Sequence, residues 1–137
     1  MRDRQSVAVV AIINSNDDIV EMLRQAFEQA GLIAVSAHVD RIKRGETSLV
    51  DFVKEHDPSV IVYDLVPPYD RSFRFVTHLR ETAHLADCRF VLTSANVQRA
   101  HELSGTAEEI FEILGKPYDL EQITRAVKEA SRARPTR

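Results

Sequence analysis

The sequence predicts an α/β fold, with five parallel strands in one sheet and helices packed on both faces. Three observations lead there. Strand-like and helix-like patterns alternate about five times along 137 residues with short connections between them, which requires right-handed crossovers and a parallel sheet in a three-layer sandwich. The first apolar run, Val7 to Ile13, is β-branched and nearly continuous in apolarity, as a strand covered on both faces should be. Later runs deliver Asp64, Thr93 and Lys116 at their ends, and the strand tips of an open parallel sheet are where such folds bind ligands.

The elements follow in order. After the first strand, Ser15 with Asp18 reads as a capping box, and Ile19, Met22, Leu23, Ala26, Phe27 and Ala30 recur at helical spacing until Gly31 closes the helix. Leu32 to Ala37 is the second strand. A polar stretch, His38 to Glu46, leads to a helix carrying Leu49, Phe52 and Val53 that ends before Pro58. Ser59 to Asp64 is the third strand, stopped by the rigid turn Pro67-Pro68. The next helix runs from about Asp70 to His84, and Arg89 to Thr93 is the fourth strand. A short helix near Val97 to Leu103 leads through Gly105 to the fifth strand, Ile110 to Leu114. The last helix, Leu120 to Ser131, presents Leu120, Ile123, Val127 and Ala130 on one face. No repeat or linker interrupts the series, so residues 1–131 are expected to be one domain followed by a disordered basic tail, 132–137, with no output domain after Ser131.

Composition narrows the function classes. Eighteen basic and twenty-one acidic side chains give a net charge of −3, which offers no attraction to nucleic acid or anionic lipid. Cys88 is the single cysteine, so no disulfide or thiol metal site can form within one chain. The first apolar run is too short for a membrane span and shows no signal-peptide pattern; a cytoplasmic location is the default. His38, His56, His78, His84 and His101 lack metal-ligand spacing and read as surface residues, and Arg41, Lys43 and Arg44 as a solvated loop.

A carboxylate at Asp64, a hydroxyl at Thr93 followed by Ser94-Ala95, and an ammonium at Lys116 followed by Pro117-Tyr118 come in that order after the third, fourth and fifth strands. On these residues the chain resembles a receiver domain of the bacterial response-regulator family over nearly its whole length. The resemblance implies a flavodoxin-like (βα)5 fold with strand order 2-1-3-4-5 and Asp64 as phosphoacceptor. It implies that Thr93 turns toward the phosphoryl group, that Lys116 binds it, that amides near Ser94 complete the cradle and that Lys116-Pro117 is a cis peptide. The carboxylate would attack phosphorus to form an acyl phosphate, and Lys116 with a divalent metal would neutralise the charge on the transferring group. The implied partners are a histidine kinase or phosphotransfer protein and a downstream effector, with a possible homodimer through the helix near Val97 to Leu103, the fifth strand and the last helix. Such a module is not an enzyme.

The sequence departs from the family at two places. Family members hold Mg²⁺ with the phosphoacceptor and an acidic pair at the tip of the first strand. Here the aligned pair is Asn14-Ser15, because the alternative, Asp17-Asp18, would push Arg24 and Gln25 toward the core, whereas the first alignment turns Ile19, Met22, Leu23 and Phe27 inward. Asp64 and the Val66 carbonyl would then hold Mg²⁺ only weakly, and Asp17 and Asp18 serve the first helix turn instead. Without neighbouring acids, Lys116 can pair with Asp64 directly and lower its nucleophilicity. The second departure is Ile113, which stands where the family carries an aromatic switch residue; Phe111, two residues earlier, points to the same face.

Three functional readings follow. The first is a signalling module with impaired phosphorylation that acts through protein–protein contacts. The second is a competent phosphorelay receiver. The third is a small-ligand or flavin-binding protein of the same topology, against which stands the acidic turn Asn16-Asp17-Asp18, which would repel a phosphate.

Overall fold

The computed structural model describes residues 7–82, 85, 87–105 and 111–132. Strands β1 (Val9–Asn14), β2 (Ile33–His38), β3 (Val60–Leu65), β4 (Arg89–Ser94) and β5 (Phe111–Gly115) form one parallel sheet in the order β2-β1-β3-β4-β5. The helices among the described residues are α1 (Asp17–Gln29), α2 (Val39–Lys43), α3 (Leu49–His56), α4 (Tyr69–Thr82), α5 (Val97–Ser104) and α6 (Leu120–Arg132). This is the flavodoxin-like order expected from the sequence.

Alternation along each strand divides the apolar residues between two cores. Val10, Ile12, Val60, Val62 and Val91 meet Leu23 and Phe27 of α1 and Ile123 and Val127 of α6. On the other face Ala11, Ile13, Ile61, Tyr63, Phe90 and Leu92 pack with Leu49, Val76, Leu79 and Ala100. Each large side chain so buried contributes about 1.5–3 kcal/mol. Because β1, β3 and β4 are covered on both sides, their sequences read as unbroken apolar runs rather than alternating ones.

The structure corrects several local expectations. The cap of α1 is Asn16, not Ser15: the Asn14 side chain accepts from the Asn16 backbone at 2.9 Å, which turns the chain once more before the helix starts. Asn16 then accepts from the amides of Asp18 at 2.9 Å and Ile19 at 3.1 Å. Met22 and Leu120, expected on buried faces, are 42% and 38% exposed and line a shallow groove between α1 and α6. The polar stretch after β2 holds the short helix α2, hidden because only Val39 and Ile42 are apolar in its single turn. Its cap is His38, whose Nδ1 accepts from the Asp40 amide at 3.2 Å. The strands end one residue later than read, since the ladder still pairs Asn14 with His38, Leu65 with Ser94 and Ser94 with Gly115. Ile110, His84 and residues 133–137 lie outside the described residues, while Arg132, assigned to the tail, belongs to α6.

Half-buried Arg24 of α1 reaches to strand β2, donating to the Ala34 carbonyl at 2.9 Å and the Ser36 hydroxyl at 3.0 Å. No helix among the described residues is long and apolar enough to cross a membrane.

Candidate functional site

Parallel pairing of β3 with β4 sets Asp64 beside Thr93. Thr93, buried at the tip of β4, donates its hydroxyl proton to Asp64 Oδ1 at 2.8 Å. Lys116 follows β5 directly, and its ammonium donates to Asp64 Oδ2 at 3.1 Å. The turn that carries Lys116 is held to the sheet by its own amide, which donates to the Ser94 carbonyl at 2.9 Å; the Lys116-Pro117 peptide is cis, as is Pro67-Pro68. Gly115 lets this turn lie close to α5, since a Cβ there would fall 2.8 Å from Val97 Cγ2.

The three side chains share a small cavity of about 30 Å³ with Asn14 and Tyr118. Asp64 is 22% exposed and Lys116 38%, so their attraction acts in partly screened surroundings. Burial, with the negative charge of Asp64 adding to it, raises the Tyr118 phenol above the ordinary tyrosine value. Tyr63 is also raised, by burial first; a Ser72 hydrogen bond opposes this and Asp64 adds to it.

The remaining residues singled out from the sequence are placed as follows. Asn14 ends β1 and lines the Asp64 cavity, but its side-chain oxygen is committed to the Asn16 amide. Ser15 is exposed. Ser94 is fully buried and turned into the β4–α5 connection, where its hydroxyl donates to the Asn96 carbonyl at 3.1 Å and accepts from the Asn96 amide at 3.0 Å. Strand alternation explains this, because Ser94 must face opposite to Thr93. Val66 is exposed, and its amide donates to Ser72 Oγ at 3.2 Å. Ile113 is half-buried against the core on the α2–α5 side. Phe111 is buried there too, its ring 5.3 Å from Phe73 and 5.6 Å from Phe90. Tyr118 was missed as a cavity residue, although it directly follows the Lys116-Pro117 pair that marks the turn.

Mg²⁺ takes six oxygen ligands and leans on one or two carboxylates. The strand tips supply one carboxylate, both of whose oxygens are engaged, and the Asn14 oxygen is taken by its own turn. The positive charge beside Asp64 is already the ammonium of Lys116. Among the described residues no three His, Cys, Asp or Glu side chains gather as a ligand set. This donor set does not fit Mg²⁺.

The fold is that of response-regulator receiver domains. The Vibrio cholerae chemotaxis protein CheY4 superposes with a TM-score of 0.70 at 18% identity, over 91% of this chain and 99% of that one. A response regulator from Thermotoga maritima gives 0.69 at 16% identity, over 93% and 99%. A transiently phosphorylated switch in bacterial signal transduction gives 0.67 at 18% identity, over 91% and 94%. At these identities the likeness establishes the fold. No protein-family model and no curated protein matches the sequence.

Proposed function

We propose that this domain is a two-component signalling module of the cytoplasm that works without enzymatic activity and without phosphate, by binding a partner protein. The observation that carries this reading is the double engagement of Asp64, with Thr93 on one oxygen and Lys116 on the other. A carboxylate in that state is a poor nucleophile, because attack on phosphorus must first release one of two hydrogen bonds, each of the charge-assisted kind. The same two contacts already satisfy the charge and the hydroxyl that a phosphoryl group would otherwise recruit. The face through which a partner or a second copy would bind is formed by α5, β5 and α6, joined to Asp64 through Thr93 on β4 and the Lys116 turn.

The test is intact-mass analysis after incubation with acetyl phosphate, with and without Mg²⁺, on the wild type and on Asp64→Ala. In the reaction at issue, an Asp64 oxygen bonds to phosphorus and acetate leaves. The expected result is no adduct, or a trace. An adduct that needs both Mg²⁺ and Asp64 would instead make this a working phosphorelay receiver, charged by a histidine kinase or phosphotransfer protein.

A further inference from the structure

A second polar pocket, of about 310 Å³, adjoins the Asp64 cavity between the ends of β1 and β2, the first turn of α1, and helices α2 and α3. Asn14 lines both spaces. The pocket carries one full charge of each sign, Asp17 and Arg41. Among the described residues neither side chain makes an ion pair. Glu46, on the turn after α2, is held by Arg44 at 2.8 Å.

The other lining groups complete a pattern. His38 uses Nδ1 to accept from Asp40, so in the neutral ring Nε2 bears the proton and donates. Asn14 uses its oxygen on Asn16, which leaves its NH₂ as the group to offer. Donors thus gather with Arg41, the carboxylate of Asp17 is the acceptor, and Phe52 supplies an apolar wall.

We propose that this pocket binds a small zwitterion of the α-amino acid class, with its carboxylate on Arg41 and His38, its ammonium on Asp17 and its side chain against Phe52. A simple anion would be repelled by Asp17 and a simple cation by Arg41, whereas a zwitterion meets an opposite charge at each end. At about 310 Å³ the pocket lies at the small end of ligand-binding cavities, a size that admits an amino acid. Through the shared Asn14, occupancy would be felt at Asp64. This site stands on its own lining and does not depend on whether Asp64 is ever phosphorylated.

The experiment is an NMR titration of the ¹⁵N-labelled chain with each of the twenty common L-amino acids, up to about 10 mM at low salt. Any that binds is repeated as its N-acetyl and methyl ester derivatives. At least one amino acid is expected to shift the amides of Ser36, His38 and Arg41 saturably, with each derivative at least about tenfold weaker. Arg41→Gln, at an exposed position that tolerates substitution, should abolish saturation while the rest of the spectrum stays native. The proposal is overturned if none of the twenty saturates, if the derivatives bind as well as the parent, or if Arg41→Gln leaves binding unchanged.

Discussion

Lys116 lies 52 residues after Asp64 and ties the turn beyond β5 to the tip of β3 by a 3.1 Å contact. Strand β4 lies between those two strands in the sheet, so the pair bridges over the residue that shares the carboxylate, Thr93. Both partners are partly exposed, and the coupling expected from a double-mutant cycle of Lys116→Met and Asp64→Asn is about 0.2–1 kcal/mol. Urea unfolding of the four proteins measures it. The coupling should shrink in high salt; a value indistinguishable from zero at low salt would remove the pair as a stabilising contact.

Replacing both Asn14 and Ser15 with Asp should raise the Mg²⁺ affinity well above that of the wild type. Asn14 faces the Asp64 cavity and Ser15 is exposed, so Asn14→Asp alone is expected to provide most of the gain. Calorimetric titration with MgCl₂ decides, and a flat trace for the double variant would show that the lost acids are not the reason for the poor metal site.

The cap of α1 is separable from the polar residue beside it. Asn16→Ala removes the acceptor for two amides and should cost about 1 kcal/mol, whereas Ser15→Ala should fall within about 0.5 kcal/mol of the wild type. Equal losses in denaturant melts would return the cap to Ser15.

Gly115→Ala drives a methyl group to 2.8 Å from Val97 Cγ2. Overpacking of this kind costs about 1–3 kcal/mol, and Val97→Ala in the same chain should recover part of it. The diagnostic is the sign of the interaction between the two substitutions: simple additivity would mean that the clash relaxes elsewhere.

Glu112 of β5 is half-buried, and burial first, then the charge of Glu129, raises its pKa against the opposing pull of Arg89. A carboxyl raised in the native state binds its proton more tightly folded than unfolded. Its contribution is therefore full below the ordinary value of 4.5 and is lost as pH rises from there through the folded value. Glu112→Gln should accordingly raise Tm at pH 7 and flatten the stability profile across that window, as followed by thermal melts at several pH values.

The sheet order and the meeting of Asp64, Thr93 and Lys116 were legible because parallel alternation leaves little choice of topology and strand tips then converge by geometry. Local detail was less legible, and for particular reasons. Asn16 and Ser15 are equally good caps by residue type, and the choice between them depends on the Asn14 side chain folding back on the following turn. Met22 has the right spacing to be buried, yet whether it is covered depends on how far α6 stands from α1. The engagement of the Ser94 hydroxyl with Asn96 was not legible, because it depends on how the connection after β4 turns.

The contact that Arg24 makes with β2 bears on how the molecule behaves in a crowd. Strand β2 is an outer strand. Its Ile33 amide bonds inward to Ala8 of the chain leading into β1, so the peptide groups of the next residue, Ala34, point away from the sheet. An outward carbonyl of this kind invites another chain to pair with it and grow the sheet intermolecularly. Arg24 occupies that carbonyl with a charged group, which blunts this border of the sheet against strand addition at Ala34.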